Sequence, residues 1–197
     1  MVFFTIFEII DIAIMTFVVG FIFSDTFRKP IQDYDPLKQN YSAFNWTGIR
    51  FAIIVTAPAI ILHELSHKIT ALYFGLDATF HAAYFWLVIG LLLKLINFGF
   101  IFFVPGYVEI GCSSFNCNLT PLMSSFIAFS GPFLNLVLWL GSWLLLRSKS
   151  SFTKARRNYA VLYLTQQINM FLFIFNMIPL PFFDGYKVFD GLIKTFF

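Results

Sequence analysis

Five long apolar stretches divide the chain and are separated by shorter polar segments. They cover about residues 3–24, 48–75, 80–104, 122–146 and 159–178. A helix that crosses a bilayer needs roughly 20 residues, so each stretch is about long enough to span. The pattern therefore predicts a bundle of membrane helices.

Two segments outside these stretches carry signals of their own. Residues 105–121 are rich in Gly, Pro, Ser and Asn, which favours a loop with a short strand or a re-entrant segment near 105–111. The segment that follows Asp184 is too short to span and is expected to lie along the membrane interface.

The composition supports a membrane location. Hydrophobic residues make up 59% of the chain and charged residues 12%, and the mean hydropathy is +0.80. Soluble domains carry about 25% charged residues, so a soluble core of this size could not hide so much apolar surface. We expect an all-α, multi-pass integral membrane protein of the cell membrane, with about five to six membrane segments in a single domain over residues 1–197. The net charge is only +3, and the absence of a long basic run excludes a nucleic-acid partner.

The second apolar stretch contains the sequence His63-Glu64-Leu65-Ser66-His67. Residues four apart share a helix face, so the two imidazoles can bind one metal ion. Glu64 lies beside that face and is well placed to accept a proton from an attacking water. Two neutral imidazoles and a carboxylate are a known catalytic zinc set, so we predict one Zn²⁺ per chain. The alternative is a pair of packed histidines, but ionisable groups in a membrane helix usually mark function.

A catalytic zinc site needs a third protein ligand. The candidates are Asp77, His81, Glu109, Cys112, Cys117, Asp184 and Asp190. Asp184 is favoured by its setting, because Pro179 and Pro181 must end the preceding helix and broken backbone at membrane depth needs cover. An Asp-Gly pair alone is more often a turn, so the residues by themselves leave the third ligand open. His81 lies outside every motif and is expected to be a packed or surface histidine.

Three segments together resemble the site-2 protease family of intramembrane zinc metalloproteases. They are residues 63–67 in one membrane helix, residues 131–135 (Gly-Pro-Phe-Leu-Asn) in a later one, and residues 176–185. The third segment matches the family's Asn-x-x-Pro-x-Pro-x-x-Asp-Gly pattern in full, and residues 105–108 resemble its strand-like segment. The catalytic core would then cover about residues 48–185, most of the chain.

The resemblance implies that Asp184 is the third zinc ligand. It also implies that Asn135 and Asn176 line the site and hold the substrate backbone or the developing oxyanion. The implied function is hydrolysis of peptide bonds in or near transmembrane helices of membrane-protein substrates, with Glu64 as the base. The implied partners are a substrate helix and the lipid bilayer, while the oligomeric state stays open.

Two other functions remain to be weighed against proteolysis. A catalytically inactive zinc-binding membrane protein of the same fold is the main alternative, and the presence of Glu64 disfavours it. A transporter would have polar residues spread over more helices and no stoichiometric zinc.

The metal site constrains the path of the chain. The helix that carries His63 and the helix that precedes Asp184 must run in the same direction, and the helix with Asn135 must run in the opposite one. Residues 76–121 must then return to the side they left, by a re-entrant loop or a hairpin. The orientation stays open, because the basic loops favour a cytoplasmic side opposite the zinc end, whereas the family resemblance places the zinc end towards the cytoplasm.

Overall fold

The computed structural model describes residues 3–25, 45–98, 104–111, 119–148 and 155–197. In these ranges the chain forms six helices and two strands. The helices are α1 (Ile6–Phe23), α2 (Trp46–Tyr73), α3 (Tyr84–Leu95), α4 (Pro121–Arg147), α5 (Arg156–Asn176) and α6 (Asp184–Phe196). The strands are β1 (Asp77–Ala82) and β2 (Gly106–Gly111).

Three of the described helices are long and apolar enough to cross a membrane. Their mean hydropathies are 2.3 for α1, 1.6 for α2 and 1.5 for α4. The described residues are mostly helical, at 75%, and among them the prediction of an all-α protein is corrected only by the two-stranded sheet. The predicted total of about five to six membrane segments is not confirmed and stays a prediction.

Sequence signals fix the ends of the long helices. Thr5 caps α1 in a capping box, in which its hydroxyl accepts from the backbone of Glu8 at 3.3 Å and its backbone donates to the Glu8 carboxylate at 2.8 Å. Thr120 caps α4, and Pro121 follows it at the first helical position, where a missing N–H costs nothing. Gly75, two residues after the end of α2, has φ +76°, the left-handed conformation in which helices commonly terminate.

Residues 76–111 differ most from the predicted elements. The third apolar stretch was expected to form one long segment over 80–104, but its first residues belong to β1, and α3 has only 12 residues. A helix of that length is about 18 Å long, too short to cross a bilayer. The strand predicted near 105–111 is confirmed as β2, which pairs with β1 in antiparallel fashion.

Helix α3 lies along α1 and is held at both of its ends. At its start the Tyr84 hydroxyl donates to Asp11, and in its last turn Lys94 donates to the Ser24 hydroxyl at 2.7 Å. Because Asp11 is near the beginning of α1 and Ser24 follows its end, the two helices run in the same direction. The start of β2 pairs with the end of β1, beside the start of α3, which agrees with the return that the metal site predicted for residues 76–121. Residues 99–103 and 112–118 of that path lie outside the described residues.

The antiparallel pair of β1 and β2, which we call the hairpin although α3 lies between its strands in sequence, packs between α1 and α2. Phe80 of β1 is buried with Met15 and Val19 of α1, while Ala78 packs with Ala71 of α2. These contacts fix the sheet beside the second half of α2, where the metal-ligating motif lies.

The long helices alternate in direction. Ile127 of α4 lies beside His67, and Asn135, about two turns further along α4, lies beside Ala59, about two turns earlier in α2. Helices α2 and α4 are therefore antiparallel. Helix α5 returns alongside α4, and the segment after it brings Asp184 back to the histidines, as the site required.

Candidate metal centre

His63 and His67 of α2 meet Asp184, the first residue of α6. The Nε2 atoms of the two histidines are 3.1 Å apart, and Oδ2 of Asp184 is 3.1 Å from the first and 3.3 Å from the second. Ligand atoms about 2.0–2.1 Å from a tetrahedral zinc ion lie about 3.3 Å from one another. The three atoms are therefore spaced as three ligands of one ion would be.

The Nδ1 atom of each imidazole, which faces away from the other two groups, has a hydrogen-bond partner. Nδ1 of His63 is 2.5 Å from the carboxamide oxygen of Asn135, and Nδ1 of His67 is 2.7 Å from the carbonyl oxygen of Ile127. Both partners are acceptors, so each Nδ1 carries a proton and Nε2 is the nitrogen of each ring that can bind a metal. Two imidazole nitrogens and a carboxylate oxygen then face one another. The donor set fits Zn²⁺.

Asn135 contacts His63 on the Nδ1 side of the ring, opposite Asp184. Its carboxamide nitrogen donates to Oδ1 of Asn169 at 2.8 Å and to the carbonyl of Ala59 at 3.3 Å, which leaves its oxygen facing the imidazole. Asn135 is 0% exposed, and all of its polar atoms are engaged. The geometry therefore favours a role in orienting His63, while the predicted contact with substrate or an oxyanion stays a prediction.

Glu64 is buried and directly follows the ligand His63. Its carboxylate interacts electrostatically with His63, Asp184 and Lys187. Lys187 lies one turn after Asp184 on α6 and is exposed. The site thus combines three atoms that can bind a metal with a carboxylate that is not needed as a ligand.

The comparison with known proteins agrees with this geometry. The chain is 33% identical over 181 residues to a protein of Methanocaldococcus jannaschii named "Putative zinc metalloprotease", an alignment that covers 92% of this chain and 82% of that protein. The chain belongs to this zinc metalloprotease family. No family model matches the chain, and no solved structure matches it.

Gly131 allows α4 of this metalloprotease-family chain to approach the imidazoles. A Cβ at this position would lie 2.8 Å from Cε1 of His63 and would overlap Nε2 of His67. A side chain there would displace the two imidazoles, because they occupy the space. Pro132 follows it, buried inside α4.

The segment between α5 and α6 aims Asp184 at the histidines. Helix α5 ends at Asn176, so the helix break predicted from Pro179 and Pro181 is confirmed. A Cβ at Gly185 would lie 2.5 Å from the carbonyl carbon of Met177, so only glycine lets α6 begin this close to the end of α5. Asn176 is half-buried at the end of α5, and its predicted contact with substrate or an oxyanion stays a prediction.

The other candidates for the third ligand that the structure describes lie apart from this centre. In the part of the chain that the structure describes, His63, His67 and Asp184 form the only group that could hold a metal ion. His81 is partly exposed on β1, with Nε2 3.4 Å from the Glu109 carboxylate. The remaining candidates are Asp77 in β1, Asp190 in α6, and Cys112 and Cys117, which are outside the described residues.

Replacing Asn135 with Leu is expected to weaken zinc binding about 10–100-fold, because His63 loses the acceptor that fixes its ring. The affinity can be measured by competition with a zinc chelator of known affinity. Asn135→Asp is the matched control, since it keeps an oxygen for Nδ1 of His63 and should bind zinc more tightly than the Leu variant. Equal affinities of wild type and Asn135→Leu would show that Asn135 does not orient the ligand.

Proposed function

We propose that the protein is an intramembrane zinc metalloprotease of the site-2 type, which hydrolyses peptide bonds in or near transmembrane helices of membrane-protein substrates. The observation that carries the proposal is the convergence of His63, His67 and Asp184 on one point beside α2 and α4, two helices that are apolar enough to span a bilayer. The family of the chain supports a metalloprotease, and the apolar helices support a membrane-embedded one.

The chemistry divides between the metal and Glu64. Zinc bound by the three ligands would supply a Lewis acid for the peptide carbonyl and the attacking water. Glu64 accepts the proton that the water loses as its oxygen bonds to the carbonyl carbon. It then donates this proton to the peptide nitrogen as the C–N bond breaks, which leaves the carboxylate as it began. Burial of Glu64 beside the ligands supports this role.

One edge of the hairpin can hold the substrate. The N–H groups of Phe80 and Ala82 point away from β2 and donate to carboxylates of α1, so this edge is occupied. Phe80 pairs with Val108, and in an antiparallel pair of this kind the polar backbone groups of both residues point outward. Val108 and Ile110 therefore present the other edge, which no strand in the described part of the chain covers. A substrate helix that unwinds locally can add to it as a strand, which exposes its carbonyls.

Metal removal tests the proposal directly. The protein is reconstituted in liposomes with a single-span peptide of about 25 residues, long enough to cross the bilayer, with an Asn-Pro pair at its centre to favour unwinding. We expect one zinc per chain by metal analysis, and cleavage that stops on chelation and returns with Zn²⁺ but not with Mg²⁺. Undiminished cleavage by the metal-free protein would contradict the proposal. Stoichiometric zinc without any cleavage would favour the inactive zinc-binding alternative.

A further inference from the structure

A buried ion pair lies one residue beyond the ligand His67. Lys68 is 1% exposed, and its ammonium donates to Oε1 of Glu8, which is 2% exposed. Removing two charges from water is costly, and a well-packed apolar pair of similar volume is often at least as stable. Stability alone therefore does not account for a lysine and a glutamate at this place.

The carboxylate of Glu8 has partners on both oxygens. Oε1 also accepts from the backbone N–H of Phe80 at 2.8 Å, and Oε2 accepts from the backbone N–H of Thr5 at 2.8 Å and from its hydroxyl at 3.2 Å. The Lys68 ammonium lies 4.8 Å from the centre of the Phe4 ring, which covers it. This network joins the start of α1, the second half of α2 and β1.

A single atom of Glu8 connects α2, the helix that carries His63 and His67, to the hairpin. Oε1 binds both Lys68, the neighbour of a metal ligand, and Phe80, the partner of Val108 on the proposed substrate edge. Asp11, one turn further along α1, accepts from the N–H of Ala82 at 3.1 Å. Helix α1 thus takes the place that a third strand would occupy beside β1, and Lys68 ties this arrangement to α2.

We propose that Glu8 and Lys68 are positioning residues, which hold the hairpin at a fixed distance from the metal centre. This inference rests on the proposed function, because a peptide added to β2 would need this fixed distance for its carbonyl to reach the metal. The pair does not touch the substrate or the metal. It acts through Phe80 and through the strand pairing of Phe80 with Val108.

The double variant Glu8→Gln/Lys68→Met separates positioning from folding. It removes both charges together and keeps similar side-chain volumes, so no unpaired charge remains buried. The carboxamide introduced at position 8 can still accept from the N–H of Phe80, but the thioether introduced at position 68 no longer joins α2 to the hairpin. The control is Lys194→Met, which removes an ion pair with Asp190 on the exposed side of α6.

The distance is measured between spin labels on cysteines at Ile69 of α2 and Glu109 of β2, both exposed, with Cys112 and Cys117 replaced by Ser. We expect a narrow distance distribution in the parent protein and in Lys194→Met, and a broad one in the double variant. We also expect the double variant to keep its zinc and its unfolding temperature. Its kcat for the single-span peptide should fall about tenfold to a hundredfold with KM within about twofold, because misplacement affects the reacting geometry rather than binding.

Two results would overturn the inference. One is a double variant with the narrow distribution and kcat of the parent. The other is loss of zinc or of thermal stability in that variant, which would make the pair a structural element only. Failure of the parent protein to cleave any peptide would count against the proposed function alone, and the distance distribution would then decide the positioning role by itself.

Discussion

Replacing Glu64 with Gln is expected to abolish proteolysis and to leave the metal bound. A carboxamide cannot take a proton from water at neutral pH, so the rate should fall by about 10²–10⁴-fold, the usual contribution of a positioned acid–base group. The three atoms that converge in the site come from His63, His67 and Asp184 and not from Glu64, so the zinc content should be unchanged. Cleavage of the single-span peptide and metal analysis of the same preparation measure both quantities.

Asp190→Asn is the matched control for this variant. It makes the same change from carboxylate to carboxamide at a partly exposed position of α6, where the carboxylate pairs with Lys194. We expect the control to cleave at the parental rate. If Glu64→Gln retained that rate with zinc bound, another group would have to act as the base and the proposed mechanism would be wrong.

Replacing Gly131 with Ala is expected to remove zinc and activity together. The added methyl group would overlap Nε2 of His67 and lie 2.8 Å from Cε1 of His63, so α4 must move away or the imidazoles must turn. Either change separates the ligand atoms. We expect zinc affinity to fall at least about tenfold, as it does when a contact that orients a ligand is lost.

Gly141→Ala tests whether the effect belongs to the position or to the residue type. Gly141 lies on the same helix, and a Cβ built there meets no atom within 4 Å from the described residues beyond its own stretch of helix. Alanine favours a helix over glycine by about 0.5–1 kcal/mol, so this variant should be neutral or slightly more stable. Zinc affinity measured by chelator competition should separate the two variants, and equal affinities would contradict the assigned packing of Gly131 on the ligands.

The sequence predicted the parts of the site that depend on local spacing. His63 and His67 share a helix face by periodicity alone, and the two prolines before Asp184 mark the break that the structure contains between α5 and α6. The choice of Asp184 among the candidate ligands needed the family resemblance, because no local pattern states that residues 121 positions apart will meet. The structure brings the three together.

The parts that sequence reasoning missed depend on contacts between distant segments. In the sequence, Lys68 is only the residue that follows His67. Its burial depends on the ion pair with Glu8, which lies on another helix. Asn169 accepts a hydrogen bond from Asn135, and the only feature of the sequence that pointed to this residue was an amide side chain within an apolar stretch. The strand β1 was hidden because its last residues merge with the apolar run of α3, so hydropathy gave no boundary at Ala82.

The alternating directions of α1, α2, α4 and α5 bring the start of α1 and the end of α6 to the same end of the bundle. Phe4 lies over Lys68 beside the hairpin, and α6 starts in the metal centre. An epitope tag joined before α1 or after α6 would therefore be reached by an antibody from one compartment, the one nearer the zinc ligands. The sidedness of the enzyme can then be read in intact cells without knowledge of any substrate.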